Sequence, residues 1–314
     1  MKNKNIINNI NYFENEIAKK ILKKIKLSNK IFYLTFALET ISFILLIINL
    51  RMLSSLVLVS VIYLFVTIDL SFSHRKYSEK VNQETIDNTV CPEAYINLNL
   101  YNANKKICPE RSFNYFLNNI SYGYILLGDF NKAEKIINYL DTRKKDLILQ
   151  SQIIKNKIEI AFFKHDIKLF NREVENLNNI IRFLPRKYKK EARINIKLKK
   201  AVIEKDTTEV NNCCDLLVKN KKLLKNVQAS YYRGLVQDRK KKQNYEEYYR
   251  YVAENGNNLM IANKARERLE ITEFENKYEI KKHIFYKIFQ ILIFLIFLSN
   301  TFFWSMYTAY ILGK

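Results

Sequence analysis

Apolar positions along the chain fall into three long runs that bracket a patterned middle. Ile31 to Leu50 is mostly apolar, with Glu39 as its one charge and Asn49 near its far end. After Arg51 the pattern repeats from Met52 to Ser71. A third run goes from Ile284 to about Ile311, with an uncharged core, ILIFLIFL at 291–298, and Lys287 near its start. Twenty helical residues span about 30 Å, the thickness of a bilayer's hydrocarbon core. The pattern therefore predicts a two-helix transmembrane hairpin over 31–71 and a C-terminal transmembrane helix over 284–311. It is a poor match to a cleaved signal peptide, because the second run follows the first at once.

Lysines and arginines near the ends of these runs set an orientation. Residues 1–30 hold eight lysines against two glutamates. His74, Arg75 and Lys76 follow the second run, and Lys277, Lys281 and Lys282 precede the third. The far sides carry only Arg51 and Lys314. The sequence thus predicts a multi-pass plasma (inner) membrane protein with its N-terminus and middle domain in the cytoplasm and its C-terminus outside.

Within 1–30, Ile6, Ile10, Phe13, Ile17, Ile21 and Ile25 recur at steps of three or four, with lysines largely off that stripe. This basic segment suits an amphipathic helix on an anionic inner leaflet, and it suits docking against the middle domain almost as well. Glu39 is the oddest residue of the first run, since a carboxylate at mid-depth is costly. Ser60 and Tyr63 fall at similar depth on the second helix and are its expected hydrogen-bond partners.

Residues 72–283 are helical in pattern. Only 5 Gly and 3 Pro occur in the chain, too few for the turns of a β-rich fold, while 21 Tyr and 20 Phe supply core material. CPE occurs at 91–93 and 108–110; proline in a first turn and glutamate at the positive helix end read as helix starts. Residues 113–140 read FNYFLNNISYGYILLGDFNKAEKIINYL. Gly128 can end one helix and Asp129 can cap the next. Leu117, Ile120, Ser121 and Tyr124 line the first helix, Leu127 and Phe130 flank the turn, and Ala133, Ile137 and Leu140 line the second.

This stretch resembles a tetratricopeptide repeat, a helix–turn–helix unit of about 34 residues. Leu117 stands where the family usually has tryptophan, and no proline closes the unit. Weaker echoes lie at 151–177, with His165-Asp166 at the turn, at 194–217 around Asp206, and at 229–252. Their steps are nearer 37 to 40 residues. The resemblance implies an all-α chain whose middle is a TPR-like α-solenoid, and a concave groove that binds peptides or partner proteins. Asn118 and Asn119 are candidates to face such a groove.

Charge and chemistry narrow the function classes. The net charge is +22, and residues 72–283 alone hold 42 Lys and Arg against 27 Asp and Glu, a net of +15. Anionic membrane lipids and a protein partner fit this charge ahead of nucleic acid, although RKYKKEARINIKLKK at 186–200 and KNKKLLKN at 219–226 keep nucleic acid open. Cys91, Cys108, Cys213 and Cys214 include no CxxC pair and read as reduced thiols. The three histidines, His74, His165 and His283, have no metal-ligand spacing, and no phosphate-binding or nucleophile motif is present. The reading is therefore not an enzyme, with no cofactor and no metal. It is a membrane-anchored scaffold or adaptor. An accessory subunit of a transport or export complex, or a membrane-tethered nucleic-acid-binding protein, are the alternatives.

Overall fold

The computed structural model describes residues 5–8, 10–49, 53–105, 108–143, 146–219, 221–240 and 245–276. Among them the chain is all-α, with no strand. The helices begin with α1 (Asn5–Asn8), α2 (Glu16–Asn49), α3 (Leu53–Asp87) and α4 (Pro92–Ala103). They continue with α5 (Glu110–Leu127), α6 (Phe130–Asp141), α7 (Leu147–Phe163) and α8 (Ile167–Ile181). The rest are α9 (Arg186–Glu204), α10 (Thr207–Val218), α11 (Leu223–Arg239), α12 (Tyr245–Asn255) and α13 (Met260–Arg268). Of the described residues, those up to Leu22 and from Asn82 onward form one compact unit, and Lys23–Val81 belong to a second.

Among the described residues no helix is long and apolar enough to cross a membrane. The crossings expected at 31–50 and 52–71 are therefore not supported there. Thr35, Glu39 and Thr40 interrupt the apolar face of α2, and Thr67 and Asp69 that of α3. The described side chains of α2 end at Ile44, and those of α3 begin at Ser60. The crossing expected at 284–311 lies outside the described residues.

The N-terminal stripe does not form one helix. α1 stops at Asn8, residues 10–15 are non-helical, and the Asn15 side chain accepts from the Ile17 N–H at 2.9 Å to start α2. Between them the Asn97 side chain grips the backbone of Phe13, accepting from its N–H at 2.8 Å and donating to its carbonyl at 2.9 Å. Ile7 is buried, with Ile6, Ile10 and Phe13 packed against the same core. Of the two readings of this segment, residues up to Leu22 take docking.

In the larger unit the chain reverses three times with the same device. Gly128, His165 and Lys205 each take a left-handed φ, of 83°, 59° and 59°. The N–H of each following aspartate returns to a carbonyl one turn back: Asp129 to Tyr124 at 2.9 Å, Asp166 to Ala161 at 2.9 Å, Asp206 to Ala201 at 2.8 Å. Each aspartate then caps the next helix, accepting from the N–H of Lys132, Leu169 or Glu209 at 2.9 to 3.1 Å. One bond thus satisfies an orphan carbonyl and the other an orphan N–H. The result is three antiparallel pairs, α5–α6, α7–α8 and α9–α10.

The first helices of these pairs pack in a row, α5 on α7, α7 on α9 and α9 on α11. The row closes, because α13 touches both α11 and α5. The turn before α13 is fastened at both sides. Asn257 Nδ2 donates to Thr89 O at 3.2 Å and Asn258 Nδ2 to Glu93 Oε1 at 2.6 Å, while buried Arg266 donates to the carbonyls of Ala253 and Asn257, both at 2.8 Å.

Two tests follow from the reversals. A Cβ at Gly128 would meet Met260 Cγ at 3.0 Å on top of the left-handed strain, so Gly128→Ala costs about 1–2 kcal/mol. Lys205 is an exposed residue in the same conformation, so Lys205→Gly stabilises by up to about 1 kcal/mol. Opposite signs in chemical denaturation are the expected result. Asp146, the cap of α7, accepts from Leu149 N, Tyr115 Oη and Arg111 Nε at 2.8 to 2.9 Å. Burial opposes its charge, but the Leu149 N–H, the Tyr115 hydroxyl and Arg111 outweigh burial and hold the carboxyl below its ordinary value. Its contribution is present above about pH 4 and fades as pH falls through the lower folded value. Asp146→Asn should cost about 1 kcal/mol at neutral pH and progressively less as pH falls below about 4; a cost that does not change with pH would refute the charge argument.

Candidate functional site

The residues that line the first repeat-like turn assemble as one unit. Leu117, Ser121, Tyr124 and Ala133 are buried, and Leu127, Gly128, Asp129 and Phe130 are half-buried around the reversal. The Phe130 ring lies 6.3 Å from that of Phe163, which ties this turn to α7. Ala133 is small where α6 meets its neighbours, consistent with complete burial.

The inner faces of the row carry a polar ladder. Asn82 and Asn99 exchange two amide bonds at 3.0 and 3.2 Å, and Asn119 donates to Asn99 at 3.0 Å. Asn156 donates to Asn118 Oδ1 at 3.1 Å and to Ser121 Oγ at 2.9 Å. Asn118 and Asn119 thus bond to neighbouring helices. Further along, Lys155 pairs with Glu191 at 2.9 Å and Lys199 with Glu159 at 2.7 Å. The Lys199 side chain is 1% exposed, and its ammonium lies 5.9 Å from the Phe162 ring and 5.8 Å from the Tyr232 ring. Burial, then Glu159, pushes the Tyr122 hydroxyl well up; burial does the same to Tyr232, so both phenols stay protonated donors.

At the centre of the row the faces meet. Tyr122 of α5, Glu159 of α7, Gln228 and Tyr232 of α11 and Met260 of α13 surround a cavity of about 20 Å³, room for about one water. The inner face that the repeat resemblance implies as a peptide groove is filled by the chain's own α13. Larger space lies on the opposite face of α7. There a cleft of about 330 Å³ is lined by Asp141, Gln150, Lys157, Glu173, Asn176 and Asn179 over Ile153, Ile154 and Ile180. Glu173 is buried and accepts from Arg172 and Asn176 at 3.1 to 3.3 Å.

In the smaller unit, α2 and α3 meet at Tyr63, whose hydroxyl lies 2.9 Å from Thr40 Oγ1 and whose ring stacks on Phe43 at 4.1 Å. Glu39 is buried, and both its oxygens lack a hydrogen-bond partner among the described residues. Ser60 is half-buried. The bond of Tyr63 goes to the residue next to Glu39, one that sequence reasoning passed over because threonine carries no charge to signal it.

Burial pushes the thiols of Cys213 and Cys214 up to about 12, which keeps them protonated. Among the described residues no group of three or more His, Cys, Asp or Glu could hold a metal ion.

The buried pair gives a direct test of the closed centre. Glu159→Gln leaves the Lys199 ammonium without its counter-charge and should cost about 3 kcal/mol or more. The double change Lys199→Met with Glu159→Leu should recover most of that, since a buried pair can be replaced by apolar groups at little cost. Thermal or chemical unfolding of the three proteins checks it; equal losses for single and double variants would refute it. Compared with known proteins, the chain finds no match among family models, curated proteins or solved structures.

Proposed function

We propose that the chain is a membrane-anchored, TPR-like adaptor or scaffold that binds protein partners at the cytoplasmic face. The observation that carries this reading is the surface of α2 and α3. Leu34 is 62% exposed and Phe65 68%, and Tyr33, Ile41, Ile44, Leu64, Ile68 and Phe72 are exposed beside them along the same two helices. Apolar side chains gathered at this density are seldom left to water and mark a lipid or partner surface. The sequence supports lipid. The apolar runs continue past the described side chains of both helices, a third run lies at 284–311, and basic residues cluster on one side of all three. On this reading the N-terminus and the helical unit are cytoplasmic and the C-terminus lies outside.

The helical unit supplies the adaptor. Its centre is closed by α13, so partner contacts belong on its outside, where the cleft between α6, α7 and α8 offers amides and a buried carboxylate. A second reading, an accessory subunit of a membrane transport or export complex, is favoured by Glu39. A buried carboxylate without a hydrogen-bond partner among the described residues suits a helix that packs against another subunit.

Alkaline carbonate extraction of membranes that hold the full chain tests the anchor, and a mild-detergent pull-down after nuclease treatment tests the adaptor. Retention in the pellet with a stoichiometric protein partner is the expected result. Release into the supernatant would sink the anchor. Recovery of lipid alone, or of material that nuclease removes, would sink the adaptor.

A further inference from the structure

The fold brings together two basic stretches that the sequence keeps apart. Residues 182–190 read RFLPRKYKK and residues 219–225 read KNKKLLK; together they hold nine Lys and Arg and no Asp or Glu. The first stretch joins α8 to α9, and the second joins α10 to α11. α9 packs on α8, α10 and α11. Since each helix runs against the one before it, both connections lie at one edge of the larger unit. Charges from three helices converge there. Burial opposes ionisation of Glu191, but Lys155 of α7, Lys225 of α11 and Lys187 of α9 offset it and hold the carboxyl below its ordinary value. Lys222 reaches across to Asp87 at 2.6 Å.

Glu191 and Asp87 answer only part of this charge. Arg182, Arg186, Lys187, Lys190, Lys219 and Lys221 are exposed. Among them stands Phe183, 59% exposed, with the Arg182 guanidinium 4.7 Å from its ring centroid. A large aromatic ring held out beside cations is poorly placed for water and well placed for the layer between headgroups and acyl chains.

We propose that this edge docks on the surface of an anionic phospholipid bilayer, with its cations at the lipid phosphates and Phe183 in the interfacial layer. The proposal deepens the membrane reading above and rests on it for its choice of lipid. A nucleic-acid groove would instead stack successive bases on several aromatics, and this edge exposes the single ring of Phe183 while Tyr188 is half-buried. Each cation near an anionic leaflet raises affinity about fivefold, so six exposed cations suffice even if only half reach it.

The test uses the full chain with Trp304, its one tryptophan, changed to Phe and Phe183→Trp introduced as the reporter. Vesicles carry brominated acyl chains, with either phosphatidylcholine alone or about 30% phosphatidylglycerol, and salt is raised to about 0.5 M in a parallel series, where screening is short-ranged. A blue-shifted indole quenched on the anionic vesicles alone, and released by salt, is the expected result. The set Arg186→Gln, Lys187→Gln, Lys190→Gln, Lys219→Gln and Lys221→Gln should weaken this contact on the order of a hundredfold or more, with helical circular dichroism unchanged. A chain that carbonate leaves in the vesicles while its indole stays unquenched would overturn the edge and spare the anchor. A chain that carbonate releases, yet whose indole is quenched on anionic vesicles, would overturn the anchor and spare the edge. Neither signal would overturn both. An indole that responds to a single-stranded oligonucleotide and not to anionic vesicles would make the edge a nucleic-acid surface and overturn the proposal.

Discussion

A helix leaves its last carbonyls without partners, and a chain that must turn back at once has two or three residues in which to satisfy them. The larger unit depends on how that is done. At Gly128-Asp129, His165-Asp166 and Lys205-Asp206, one residue swings into the left-handed region and the aspartate behind it returns an N–H to the helix it leaves. The same aspartate offers its carboxylate to the helix it starts. Two ends are satisfied in the space of two residues, so successive helices can lie side by side. Glycine meets the left-handed requirement without strain at the first turn; His165 and Lys205 meet it at a cost of about 1 kcal/mol each, a cost the cap and the packing of the next helix offset.

Repeating one reversal lets successive pairs stack side by side. Here the row curls until α13 meets α5. Closure has a chemical consequence. Side chains that would face water in an open row are enclosed, and enclosed polar groups need partners. The amide ladder through Asn99, Asn119, Asn118 and Asn156 and the pair Lys199–Glu159 meet that need. With the centre closed, the cleft beside Glu173 and the basic edge are the features left open on the outside of the unit.

What could be read in the chain follows the range of the interactions involved. LGDF at 127–130 announced the first turn because its signals, glycine and a capping aspartate, act over three residues. The second turn was traceable from His165-Asp166 and the third from Asp206, although neither has glycine. The break near Asn8–Asn15 was hidden, because the stripe of Ile6, Ile10, Phe13 and Ile17 keeps helical spacing through it. What breaks it is Asn97, which grips the Phe13 backbone from 84 residues away. Closure was hidden for the same reason: Asn258 finds Glu93 across 165 residues, and no local period records that. Lys199 was indistinguishable from its neighbours in KLKK, yet its side chain is the one sealed against Phe162 and Tyr232. The apolar runs were the plainest feature of the sequence. The described parts of α2 and α3 show their exposed faces, and not an uninterrupted span.

The distribution of charge is the last consequence of closure. Carboxylates are the scarcer partner in this chain, 31 Asp and Glu against 53 Lys and Arg. A buried ammonium without a counter-ion is far more costly than an exposed one, and three of the less exposed lysines of the larger unit have theirs. Glu159 goes to Lys199, Glu191 to Lys155 and Asp87 to Lys222. The excess cations are left where water can solvate them, in connections between helices. Solvation alone would allow them to scatter. Of the nine cations in 182–190 and 219–225, Lys222 is answered by Asp87 and Lys225 and Lys187 face Glu191; the others repel one another, a repulsion that an external source of negative charge would relieve. On the docking proposed above, a bilayer leaflet would supply it as a sheet rather than as a point, which matches two connections held side by side along one edge.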